Sequence, residues 1–177
     1  MSTLTLTLPD LESGYFTEAE FENLPEPDLF YYELDDGNLR LINDMTTDWH
    51  SLMIFTLLTY FQRIGQFASS ERQLRLRPGR IVRCDVGVLV VAPDFTAEIS
   101  TRDATEFSVV IEVVSPSYRK QDWDRKMREY AAAHVPRYWI VEKHPSDPAD
   151  GIVLQFVNRG GVFEPDQEVE LSKLVAA

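Results

Sequence analysis

Residues 107–142 read FSVVIEVVSPSYRKQDWDRKMREYAAAHVPRYWIVE, and this stretch decides the fold. Phe107–Val114 is a nearly continuous apolar run, the signature of a central strand buried on both faces. Ser115-Pro116-Ser117 stops it. Lys120–Ala133 then places Trp123, Met127, Tyr130 and Ala131 on one side of a helix. Pro136–Glu142 returns to a strand. Strand, helix and strand in this order predict a right-handed crossover and a parallel pair within one sheet.

Working outward, the strand signals multiply. Arg80–Val91 contains IVRCDVGVLVV, dense in β-branched residues, and RQLRLR at Arg72–Arg77 alternates ahead of the Pro78-Gly79 turn. Leu29–Leu34 and Asn38–Ile42 flank Asp35-Asp36-Gly37, a strong hairpin signal. After the Pro/Asp-rich loop 143–150, Gly151–Val157, the Gly160-Gly161 turn and residues 162–171 predict a closing antiparallel pair. Two more helices are expected. Thr17 and Glu20 have capping-box spacing before a short one ending near Pro25. Thr46 or Thr47 caps a longer one from Asp48 to about Ile64, stopped by Gly65, with Leu52, Phe55, Leu58, Tyr60, Phe61 and Ile64 as its apolar face. Residues 1–14 read as a loose leader, and 93–106 as a polar loop. The expected fold is α/β (α+β), a central mixed β-sheet flanked by helices, in a single domain over 1–177 with its core at 29–142.

Composition narrows the function. The chain has 177 residues, with 17 Lys and Arg against 29 Asp and Glu, a formal charge of −12. Such a surface argues against broad, non-specific adhesion to nucleic acid, although a local basic strip with a bound metal is compatible with it. Cys84 is the one cysteine, which excludes an intrachain disulfide and any zinc site built on several thiolates. No run approaches the ~20 apolar residues of a membrane span, and the first residues lack the basic and apolar regions of a secretory signal. No membrane partner and a cytoplasmic location are expected.

Two acids interrupt apolar strands, Asp85 in IVRCDVGVLVV and Glu112 in FSVVIEVV. An ionised carboxylate in such surroundings needs a cation or donors to offset its burial. Two on adjacent strands suit a hard divalent cation, since Mg²⁺ commonly takes one or two carboxylates and keeps several waters. Lys126 follows Asp122 by four residues, so both lie on one side of the helix. From there an ammonium can reach back toward Glu112. Glu33 lies on the first hairpin, and His50 in the first turn of the long helix. Cys84 reads as a small buried hydrophobe.

YYELDDGNL, a helix opening on His50, CDVGVLVV, and EVVSPS followed by Asp122-x-x-x-Lys126 and Tyr130-x-x-x-x-Val135-x-x-Tyr138-Trp139-Ile140-Val141 together form a composite pattern. In this pattern the chain resembles the Uma-type family of restriction endonucleases, within the PD-(D/E)XK nuclease superfamily. The resemblance runs from about residue 29 to 142. It implies a restriction-endonuclease-like core and a metal-dependent phosphodiesterase acting on nucleic acid, DNA in the first instance. It matches Asp85 to the first acid of the motif and Glu112 to the second. The lysine expected two residues after the second acid is replaced by Val114, and Lys126 from the following helix matches the position that takes over. Cys84 stands where the motif has proline. Glu33 matches an N-terminal acid that helps bind metal or position water, and His50 and Asp122 are accessory candidates.

The implied mechanism has Asp85, Glu112 and the backbone carbonyl of Val113 holding Mg²⁺ or Mn²⁺. Lys126 orients water or stabilises phosphate charge. Arg75, Arg77, Arg80 and Arg83 are expected as phosphate contacts. A homodimer is expected, because cutting both strands commonly pairs two sites and the two-fold dimer is the commonest oligomer. The competing reading is a catalytically silent binding or scaffolding protein that keeps the fold.

Overall fold

The computed structural model describes residues 14–25, 30–43, 47–97, 99–114 and 120–176. The expectations for residues 1–13, Leu29, Thr46 and Ser115-Pro116-Ser117, and for the side chain of Asp122, fall outside the described residues. The elements in chain order are α1 (Glu18–Glu22), β1 (Phe30–Asp35), β2 (Asn38–Asn43), α2 (Asp48–Arg63), β3 (Ala68–Arg77), β4 (Arg80–Leu89), β5 (Thr101–Asp103) and β6 (Phe107–Val113). They continue with α3 (Lys120–Ala132), β7 (Arg137–Lys143), β8 (Gly151–Asn158), β9 (Phe163–Glu170) and α4 (Leu171–Ala176).

All the strands join one mixed sheet in the order β2-β1-β4-β6-β7-β8-β9, with β3 alongside β4 and β5 alongside β3. The β6–β7 pair is parallel, as the crossover requires, with Glu112 opposite Ile140. The β1–β2 hairpin closes through Asp36 and Gly37, both at positive φ (50° and 82°), the backbone that a two-residue type I′ turn demands. Thr17 and Glu20 form the capping box of α1. Thr47 caps α2 by accepting the His50 backbone N–H at 3.2 Å, and Gly65 follows its end at φ +75°.

Three features depart from the sequence reading. Residues 101–103 of the polar loop form β5, parallel to β3. The closing strand ends at Glu170, and α4 follows it. On α2, the buried face is Trp49, Met53, Leu57 and Phe61, while Leu52, Phe55 and Ile64 are 44%, 68% and 47% exposed. Apolar residues occur almost all round this helix, so periodicity admits two faces. Packing against the sheet selects the stripe at four-residue spacing.

The sheet separates two apolar clusters. Val109, Ile111 and Val113 of β6 pack with α2, together with Trp139 and Val141 of β7. Val110, Tyr138 and Ile140 pack with Tyr130 and Ala131 of α3. On β4 the sides change hands. Val82 and Cys84 belong to the α3 cluster, whereas Val86 and Val88 belong to the α2 cluster. The irregularity falls on Asp85, opposite Glu71, which takes φ +55°. Gly87, two residues on, allows a close crossing: a Cβ there would lie 2.5 Å from the buried Phe107 ring.

Candidate active site

The site lies where β4 exchanges one neighbour for another. On one edge β4 pairs with β3 along its length. On the other edge Val86–Leu89 pair with β6, while Arg80 and Ile81 pair with β1. Between them the sheet splits. At this point Asp85 uses its side chain in place of a ladder carbonyl: the backbone N–H of Val113 donates to Asp85 Oδ2 at 2.6 Å. Nε2 of His50, from the first turn of α2, is 3.3 Å from the same oxygen.

Glu112 faces the α3 side and is 4% exposed. Lys126 Nζ donates to its Oε1 at 2.8 Å, and the Tyr130 hydroxyl donates to the same atom at 2.7 Å. Lys126 and Tyr130 are one helical turn apart, so both project from α3 toward one point. Burial pushes the Glu112 carboxyl up to about 7 and nearby Asp85 adds to the rise, while Lys126 and the two hydrogen bonds oppose it. Cys84 is buried and its thiol is pushed up by burial, as befits a packing residue rather than a nucleophile.

Among the described residues the donors to the two acids thus converge on one oxygen of each carboxylate, Oδ2 of Asp85 and Oε1 of Glu112. Oδ1 and Oε2 are the oxygens these donors leave. This donor set is hard, built from carboxylate oxygen, and fits a divalent ion that completes its shell with water and substrate. No three His, Cys, Asp or Glu side chains among the described residues form a group that could hold a metal ion.

Glu33 is brought to the same region but turned to another partner. It is 1% exposed and pairs at 3.1 Å with Arg80, itself 1% exposed. Arg80 also donates to the Leu34 carbonyl at 3.1 Å and to Glu129 of α3 at 2.9 Å. This guanidinium is inside the structure, a brace from β1 through β4 to α3. The other three arginines also face carboxylates: Arg75 meets Glu18, Glu22 and Asp103, Arg77 meets Asp36, and Arg83 meets Glu71. Arg83 lies two residues before Asp85 and stacks on Tyr31, with its guanidinium 4.8 Å from the ring centre.

Two site residues escaped the sequence reading. Tyr130 reads there as part of an apolar helix face. The signal was present, since a buried tyrosine hydroxyl usually requires a partner. Tyr31 precedes Glu33 by two residues and so shares its strand face. Burial pushes its phenol upward, and it feels the charges of Lys126, Glu112, Glu33 and Asp85 together.

The split sheet thus carries Asp85 and Glu112 on neighbouring strands, with Lys126 on the helix that follows. A family model described as "Uma2: Putative restriction endonuclease" matches residues 18–170, and the chain belongs to that family. Among solved structures, it is similar to the crystal structure of a "putative nuclease belonging to DUF820" from Anabaena variabilis. That structure is 15% identical with a TM-score of 0.63, over 91% of this chain and 98% of the other, and it supports the fold alone. No curated protein matches the chain. The expected family and the mixed sheet flanked by helices are both borne out.

Proposed function

We propose that the chain is a metal-dependent endonuclease that hydrolyses phosphodiester bonds of DNA at the Asp85–Glu112–Lys126 cluster. The observation that carries this reading is that two carboxylates on the neighbouring strands β4 and β6 each have one oxygen held by donors, with Glu112 feeling the charge of Asp85 and an ammonium 2.8 Å from its Oε1. Oδ1 of Asp85 and Oε2 of Glu112 would hold Mg²⁺ or Mn²⁺, with the Val113 carbonyl as a further donor. When bound, such an ion supplies a water of lowered pKa and polarises the scissile phosphate.

The chain's own groups do the rest. Lys126 holds Glu112 and places positive charge beside the position of the reacting phosphate, where it favours the charge that develops during displacement. His50 and the Val113 N–H fix Asp85. Glu33 and Arg80 set the distance between β1 and α3. Arg83 on its Tyr31 platform is the arginine nearest in sequence to Asp85 and is the candidate phosphate contact, exchanging Glu71 for the substrate. Arg80 serves as a brace instead.

The test is cleavage of supercoiled plasmid DNA with Mg²⁺ or Mn²⁺. The wild type should nick it, EDTA should stop it, and Asp85→Ala should be inert. A wild type that leaves DNA intact with either ion would favour the silent scaffold, a reading that draws on the charge of −12 and on the ion pairs already made by these arginines.

A further inference from the structure

Tyr130 is completely buried. Its ring is 5.2 Å from that of Tyr138, which in turn is 5.5 Å from Phe163. A ring wedged in this way cannot swing, so its hydroxyl stays on Oε1 of Glu112 at 2.7 Å. Lys126 Nζ approaches the same oxygen at 2.8 Å. Two donors on one oxygen leave Glu112 to present the other. Asp85 is treated alike: the Val113 N–H and His50 Nε2 both lie against Oδ2.

The way a carboxylate is presented decides which ion it suits. Ca²⁺ takes six to eight oxygens in flexible shells and often binds a carboxylate through both oxygens. Mg²⁺ demands near-octahedral geometry and accepts one oxygen from each of one or two carboxylates, keeping its waters. Acids held to a single outward oxygen therefore suit the smaller ion.

We infer that Tyr130 is a positioning residue that keeps Glu112 monodentate, with His50 doing the same for Asp85, and that this pair of clamps makes the site select Mg²⁺ or Mn²⁺ over Ca²⁺. The inference rests on the metal-dependent reading above. The contact of the Tyr130 hydroxyl is with Glu112. It acts through Glu112, so its removal should alter the ranking of ions as well as the strength of binding. A residue that merely filled space would weaken every ion alike, or none.

The experiment is calorimetric titration of the metal-free protein with MgCl₂ and with CaCl₂ at one pH, for the wild type, Tyr130→Phe and His50→Ala. Tyr130→Phe keeps the ring and removes only the hydroxyl. His50→Ala removes the second clamp from a half-buried position, so a folding defect in one variant leaves the other as the test. The wild type should bind Mg²⁺ more tightly than Ca²⁺. Each variant should weaken Mg²⁺ by about tenfold or more, the usual effect of losing an outer partner of a metal ligand, and the ratio of the Ca²⁺ to the Mg²⁺ dissociation constant should fall toward one. Variants that bind less tightly at an unchanged ratio overturn the positioning role and leave the metal site standing. A wild type that binds neither ion overturns this inference, and plasmid cleavage with Mg²⁺ or Mn²⁺ decides the metal-dependent reading separately.

Discussion

Lys126 Nζ meets Glu112 Oε1 at 2.8 Å from a helix that begins after the strand carrying Glu112 has ended. In the proposed mechanism the pair would supply, from a different element, the short distance between acid and ammonium that a lysine on the strand itself would give. Val114, one residue past the end of β6, packs with the α3 cluster. Lys126→Met keeps most of the stem and removes the charge. It should lower the rate of DNA cleavage by about 10²–10³, the scale for losing one preorganised donor, with unfolding curves as the control. A loss of less than fivefold would remove Lys126 from the mechanism.

The Glu112 carboxyl gives the metal-free protein a pH-dependent stability. Its folded value is raised by burial to about 7 from an ordinary 4.5. Between those values the folded chain holds a proton that the unfolded chain has released, so stability falls as pH rises from about 4.5 to 7. Below that window the group has no effect, and above it the full cost, on the order of 3 kcal/mol, is present. Thermal unfolding of metal-free protein should therefore occur at lower temperature at pH 8 than at pH 5. The contribution should vanish in Glu112→Gln, and Mg²⁺ should offset it in the wild type by favouring the ionised form. An identical pH slope in wild type and Glu112→Gln would contradict the assignment.

Arg80 and Glu33 test the brace. Both are 1% exposed. Removing one partner of a buried ion pair strands the other, at about 3–5 kcal/mol. Denaturant titration of Arg80→Met should show a loss of that size, and Arg80→Met/Glu33→Gln should recover part of it because the buried Glu33 charge is gone while the half-exposed Glu129 keeps Arg125. Equal stabilities of the single and double variants would mean that the pair is not coupled.

The two faces of α2 give a prediction that separates sequence pattern from structure. Leu57 is fully buried and Phe55 is 68% exposed. Leu57→Ala should cost about 2–5 kcal/mol, whereas Phe55→Ala should stay within about 0.5 kcal/mol. The reverse order in denaturant titrations would place the helix the other way round.

That helix also shows where the sequence runs out as a guide. Short-range rules decide the Asp36-Gly37 turn, the Thr17–Glu20 capping box and the parallel pair around 107–142, and these are all legible in the chain. The choice between Leu57 and Phe55 depends on the sheet beneath the helix, which no local period encodes. β5 has only Thr101–Asp103, and it becomes a strand because β3 lies beside it. At the site, Asp85, Glu112 and Lys126 stand out because polar residues interrupt apolar patterns or recur at helical spacing. Arg80 does not stand out in this way. As one of several arginines on neighbouring strands it resembles a phosphate contact, and only the long-range approach of Glu33 and Glu129 turns it inward. Tyr130 is hidden for a related reason, since its ring satisfies the apolar pattern while its hydroxyl serves the acid.

The most direct test is calorimetric titration of Mn²⁺ into metal-free wild type, Asp85→Ala and Glu112→Ala, each first shown to be folded. Joint ligation by Asp85 and Glu112 predicts one ion bound per wild-type chain and none in either variant. Binding that survives in both variants would contradict the two-carboxylate site.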